Sequence, residues 1–94
     1  SFGIFKMPDL QAEDIILSFT PLKGKFLKAQ PLHPSQEVIV ENETECRIKL
    51  KLQITPDFII EILSHGCEVK VISPDILVKE VCSNLERALK QYNY

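Results

Sequence analysis

Three times in 94 residues an apolar run stops at a hydroxyl side chain followed by proline, and a helical pattern begins. Thr20-Pro21 closes the run 15–19, Thr55-Pro56 closes 48–54, and Ser73-Pro74 closes 69–72. A Thr or Ser at an N-cap accepts a hydrogen bond from a free backbone N–H of the first helical turn. Proline at the first helical position gives up only an N–H that has no partner within the helix. Each junction therefore reads as a strand passing into a helix, and the three together predict the order β-α-β-β-α-β-α. They carry no chemistry by themselves.

Residues 1–12 mix Phe2, Ile4, Phe5 and Met7 with Pro8 and Asp9 and show no period, which predicts a linker arriving from a preceding domain. One domain then occupies 13–94. In its first strand Ile15, Leu17 and Phe19 alternate with Ile16 and Ser18 on the other face. The helix at 21–30 is the weakest, since Gly24 costs about 1 kcal/mol relative to Ala and only Leu22, Phe26, Leu27 and Ala29 are apolar. Pro31 and Pro34 stiffen the loop that follows. A short strand at 37–41 and a polar turn at 42–45 lead to the clearest segment. There Cys46, Ile48, Leu50, Leu52 and Ile54 alternate with Arg47, Lys49, Lys51 and Gln53, the pattern of a strand with one dry and one wet face.

The helix at 57–65 carries Phe58, Ile59, Ile62 and Leu63 inward, and Gly66 is placed to end it in the left-handed conformation. A strand at 68–72 follows, with Val69 and Val71 inward. The last helix, 75–92, repeats Leu77, Val78, Val81, Leu85, Ala88 and Leu89 at three and four. Asp75 near its start and Arg87 and Lys90 near its end suit the helix dipole.

Right-handed β-α-β crossovers then interleave into an α+β, ferredoxin-like β-α-β-β-α-β plan with an added C-terminal helix. The expected four-stranded sheet has its first and third strands central, both crossover helices on one face, and the other face open. The third helix either lies along the sheet or reaches toward a partner. If Val38 and Val40 both point inward beside Ile48 and Leu50, the hairpin partners share parity. That excludes Glu41 opposite Cys46 and requires an odd-length turn or a bulge.

A chain of 94 residues that is 45% hydrophobic and 26% charged supports one domain, with a stability of about 5–15 kcal/mol. Its net charge of −2 offers no global attraction to nucleic acid or anionic membrane, so a polyanion would have to meet a local patch. No apolar stretch approaches the ~20 residues of a membrane helix and no signal peptide is evident, which predicts a cytoplasmic chain. Cys46, Cys67 and Cys82 lack the spacing of a disulfide framework or zinc site and read as small buried apolar residues. A start at Ser1 rather than Met suggests an excised piece of a longer protein.

Arg47, Lys49 and Lys51 on a central strand and Lys70 on an edge strand should share the open face. Ferredoxin-like RNA binders use this face, but they stack bases on strand aromatics, and none alternates with these cations. Glu37 and Glu41 can lie across from them as cross-strand ion pairs. A solvated face, a protein-docking face and a polyanion site all remain open, the last with a salt slope of only about −2 to −3. His33, in its proline-framed loop with Ser35 and Gln36, is a loop anchor or a contact residue. With Ser35 as nucleophile it would still lack an acid and an oxyanion site, so a hydrolase is not supported. His65, beside Gly66, suits the last carbonyls of its helix. Three glycines in the whole chain exclude a P-loop or dinucleotide loop, and no cofactor or metal is implied. Tyr92 and Tyr94 read as a fraying end.

The ordered strings Pro31-Leu32-His33-Pro34-Ser35-Gln36, Ile62-Leu63-Ser64-His65-Gly66, Glu68-Val69-Lys70-Val71-Ile72-Ser73-Pro74 and Ala88-Leu89-Lys90-Gln91-Tyr92 span nearly the whole chain. The set resembles the C-terminal extension, the WCX region, of bacterial WYL-domain transcriptional regulators, in a form like those of Bacteroidetes. The resemblance implies a non-enzymatic accessory module that assists effector sensing or dimer assembly. Its partners are then the WYL domain of the same or a second chain and a nucleotide or single-stranded nucleic-acid effector. It implies a homodimer in the full-length protein and no membrane partner. A DNA operator is reached only through an N-terminal winged helix that these residues lack. His33, Ser35 and Gln36, which match the loop motif, and the basic residues Arg47, Lys49, Lys51 and Lys70 are the candidate contacts. A stand-alone ferredoxin-like nucleic-acid binder using the same basic face is the alternative.

Overall fold

The computed structural model describes residues 11–92, so most of the linker expected at 1–12, with its aromatics, and Tyr94 lie outside the described residues. The order is β1 (Glu13–Phe19), α1 (Pro21–Ala29), β2 (Glu37–Glu41), β3 (Cys46–Leu52), α2 (Pro56–Ser64), β4 (Val69–Ser73) and α3 (Asp75–Lys90), with a 3-10 turn at Gly66–Glu68 before β4. The sheet runs β2-β3-β1-β4 with every neighbour antiparallel. This is the ferredoxin-like α+β arrangement, with β1 and β3 central.

Two of the three junctions act as their residues dictate. Thr20 is in extended conformation and its hydroxyl accepts from the Lys23 N–H at 3.4 Å, with Pro21 opening α1. Thr55 caps α2 in the same way, accepting from Phe58 N–H at 3.2 Å. The third junction departs from expectation. Ser73 remains in β4, and Pro74 itself is the N-cap of α3, its carbonyl receiving Leu77 and Val78 N–H while no side chain caps the helix.

The alternation of β1 and β3 becomes three stacked cross-strand pairs: Ile15 with Leu50, Leu17 with Ile48, and Phe19 with Cys46. All six are buried on one face, where Leu27 of α1, Ile62 of α2 and Leu77 and Val81 of α3 close over them. The three helices thus share one side of the sheet. Gly24 explains how α1 sits so low. A Cβ there would lie 2.4 Å from the Cys46 Cβ and 2.7 Å from its Sγ, far inside contact distance. The helix propensity lost at this glycine is exchanged for close approach of helix to sheet.

Three expectations need correction. In the hairpin, Val38 pairs with Ile48 but Val40 pairs with Arg47, and Glu41 does lie opposite Cys46. A bulge at Ile39 takes up the parity, so Val38 and Val40 face opposite sides of the sheet and Glu41 turns to the helix side, where it ion-pairs with Lys28 of α1. Of the cysteines only Cys46 is buried; Cys67 and Cys82 are exposed. In α3 the inward stripe holds for Leu77 and Val81, which join the core, whereas Leu85 and Leu89 are half exposed, 50% and 53%, and lie outside it. Gly66, with φ of 62°, takes the left-handed conformation expected of it.

Candidate functional site

The wet face of β3 is built by period two. With Ile48 and Leu50 fixed in the core, Arg47, Lys49 and Lys51 must point to the side that carries no helix. Their partners on β1 are Ser18, Lys49's neighbour Ile16, and Asp14, and Lys70 of β4 lies opposite Ser18. The four predicted basic residues therefore share one face. Glu37 of β2 stands opposite Lys49, as expected of a cross-strand partner, but Glu41 does not, because the bulge removes it to the helix side.

At one end of this face is a carboxylate that sequence reasoning missed. Glu45 Oε1 accepts from the Ser18 hydroxyl at 2.7 Å and from Arg47 Nε at 3.2 Å, and its Oε2 accepts from Arg47 Nη2 at 3.3 Å. The Ser18 hydrogen bond above all, then the Arg47 guanidinium and the Lys70 charge, hold the Glu45 carboxyl below its ordinary value despite partial desolvation. The signal was present in the sequence. Glu45 and Arg47 are two apart entering a strand and so share a face, and Ser18 is the lone hydroxyl in an otherwise apolar run.

At the other end lies the 33–36 loop. Ser35 Oγ accepts from Lys51 N–H at 2.8 Å and lies 3.1 Å from the Lys51 carbonyl. Glu37 pairs with Lys49, so two residues earlier the backbone of β2 would have met Lys51. The chain has already turned away there, and the serine hydroxyl takes the place of the missing main-chain partner. His33 Nδ1 is 2.7 Å from the same Oγ and receives Ser35 N–H at 3.1 Å. Gln36 ties the loop to α1: its Oε1 accepts from Leu32 N–H and its Nε2 donates to the Leu27 carbonyl, each at 2.9 Å. His33 and Ser35 thus face each other, which their spacing alone did not establish, yet the hydroxyl is engaged by the Lys51 main chain. The structure brings the loop to the Lys51 end of β3, and Arg47 and Lys70 to the opposite end.

His65 is the C-cap of α2 and meets the last carbonyls of its helix through its main-chain N–H, which donates to Ile62 and Leu63 C=O, while its ring is turned elsewhere. Its ring stands edge-on to Phe19, centroids 5.3 Å apart, and its Nε2 lies 3.3 Å from Glu61 Oε2 without the angle of a hydrogen bond. Among the described residues no group of three or more His, Cys, Asp or Glu side chains is arranged to hold a metal. No helix among them is long and apolar enough to cross a membrane.

The WCX domain family model matches residues 11–89, almost the whole described fold. The chain belongs to the WCX domain family. No curated protein is similar enough to count as a match. Both the 33–36 loop and the basic strand of this WCX domain fall within the matched residues.

Proposed function

We propose that this WCX domain is a non-enzymatic, cytoplasmic accessory module of a WYL-family bacterial transcription regulator, one that assists effector sensing through its open sheet face. The observation that carries the reading is the convergence of Arg47, Lys49, Lys51 and Lys70 on the one side of the sheet that no helix among the described residues covers. Set against the carboxylates Asp14, Glu37 and Glu45 on the same face, the four cations leave a small positive excess in a protein of net charge −2, a local attraction that the whole chain lacks. The effector class this favours is a nucleotide or short single-stranded nucleic acid, with the WYL domain of the same or a second chain closing over it. The absence of aromatics from the basic strand argues for backbone phosphate contacts rather than base stacking. His33, Ser35 and Gln36 act here by position, since they fix the Lys51 end of the strand.

The test is an amide NMR titration with a short single-stranded DNA and, separately, a cyclic dinucleotide, at low and moderate salt. Saturable shifts at residues 47–51 and Lys70 that weaken with salt, with a slope of about −2 to −3, are expected. A folded domain that shows no shift with either probe would move the effector contacts elsewhere and leave this face to protein contacts.

A further inference from the structure

The Glu45 carboxylate sits where an external anion would have to go. Ser18 comes from β1, Arg47 from β3 and Lys70 from β4, three adjacent strands whose register places Ser18 directly opposite both Arg47 and Lys70. The first two offer a hydroxyl donor and a guanidinium edge, the combination that recognises a carboxylate and a phosphate alike. Both are already donating, at 2.7 to 3.3 Å, to one internal carboxylate. We propose that Ser18, Arg47 and Lys70 form a single-oxyanion subsite which Glu45 fills in the free domain, and that a phosphate group of the incoming ligand replaces it. The inference rests on the nucleotide reading given above and adds where the first phosphate lands and what holds the place until it arrives.

Three features make the exchange feasible. The ion pair is partly exposed, 34% for the arginine side chain and 26% for the glutamate, and partly solvated pairs between near neighbours hold weakly. The Glu45 main chain is anchored independently: its N–H donates to Asn42 Oδ1 at 3.0 Å, and Asn42 N–H donates to the Glu45 carbonyl at 3.0 Å. The side chain can therefore swing away without disturbing the hairpin. Beside it is a groove of about 170 Å³ lined in part by Ser18, Thr44 and Lys70, into which the rest of a ligand can extend; Glu68 on its wall accepts from the Thr20 hydroxyl at 3.3 Å.

The experiment compares the wild-type domain with Glu45→Gln, Arg47→Gln and the double variant, titrated with 5′-phosphorylated tetrathymidylate and read by amide shifts. Unchanged amide dispersion of each free variant shows that it is folded. Glu45→Gln should bind about tenfold tighter, the scale on which one charge-assisted pair counts, with its largest shifts at Ser18 and residue 47. Arg47→Gln should lose that gain in the double variant. Equal or weaker binding by Glu45→Gln, with the wild type still binding, would overturn the placeholder role while leaving the basic face intact. No binding by either protein would overturn the nucleotide reading and this inference with it.

Discussion

Gly24 shows how a single missing Cβ sets the height of a helix above a sheet. Replacing it with alanine gains about 1 kcal/mol of helix propensity. The new methyl, however, meets the Cys46 Cβ at 2.4 Å, and that atom is fixed to a central strand. Overpacking of this kind costs about 1–3 kcal/mol. Gly24→Ala should therefore lower stability by about 0–2 kcal/mol net, read as a lower urea midpoint at unchanged slope. Burial, reinforced by the nearby Glu41 charge, also pushes the Cys46 thiol up, so alkylation of the folded domain should occur at Cys67 and Cys82 first. Ser35 is the second informative residue. Its alanine variant leaves the Lys51 N–H and C=O without the hydroxyl that now meets them, a loss of about 1 kcal/mol at this exposed position. Hydrogen exchange at the Lys51 amide should accelerate while the amides of Ile48 and Leu50 stay protected.

Among the elements, α3 divides into a docked half and an overhanging half. Leu77 is fully buried, and Leu77→Ala should cost about 2–5 kcal/mol. Leu89 is half exposed, and Leu89→Ala should change stability by less than about 0.5 kcal/mol in thermal unfolding. The sequence showed the helix but not the division, because its three-and-four repeat continues through Leu85, Ala88 and Leu89, past the last residue of the helix that joins the core, Val81. Strand and helix order, the two threonine caps and the left-handed Gly66 were legible because each depends on neighbouring residues alone. The bulge at Ile39 was legible only as one of two solutions to a parity problem. Its position sets the sides taken by Val40 and Glu41 and puts Glu41 beside Lys28 of α1, a contact between segments that local residues do not announce. The third junction misled in detail for a similar reason. Ser-Pro resembles Thr-Pro locally, but Ser73 is claimed by its pairing with Ile16.

For the molecule as a whole, Glu45 makes acid a destabilising condition. Its carboxyl titrates below the ordinary 4.5 in the folded domain, so between that value and the lower folded one the unfolded chain binds more protons. The stabilising contribution is present above 4.5 and is lost as pH falls through the folded value. Glu45→Gln should flatten the acid limb of a stability profile measured by urea unfolding across that window, without altering the neutral plateau's slope in pH. The basic face itself was legible from the alternation of β3. The carboxylate at its end was legible only in part: the two-residue spacing of Glu45 and Arg47 was there to read, but Glu45 precedes the strand and its partner Ser18 is 27 residues away in the chain. β3 is a strand held on both sides, by β1 along its whole length and by β2 along much of it. Residues two apart on such a strand have their Cα atoms held about 6.8 Å apart, while the long side chains of Lys49 and Lys51 leave the ammonium groups room to move. The face is therefore rigid at its roots and adjustable at its tips: what the sheet fixes is the order and side of the charges, not the spacing of their ends.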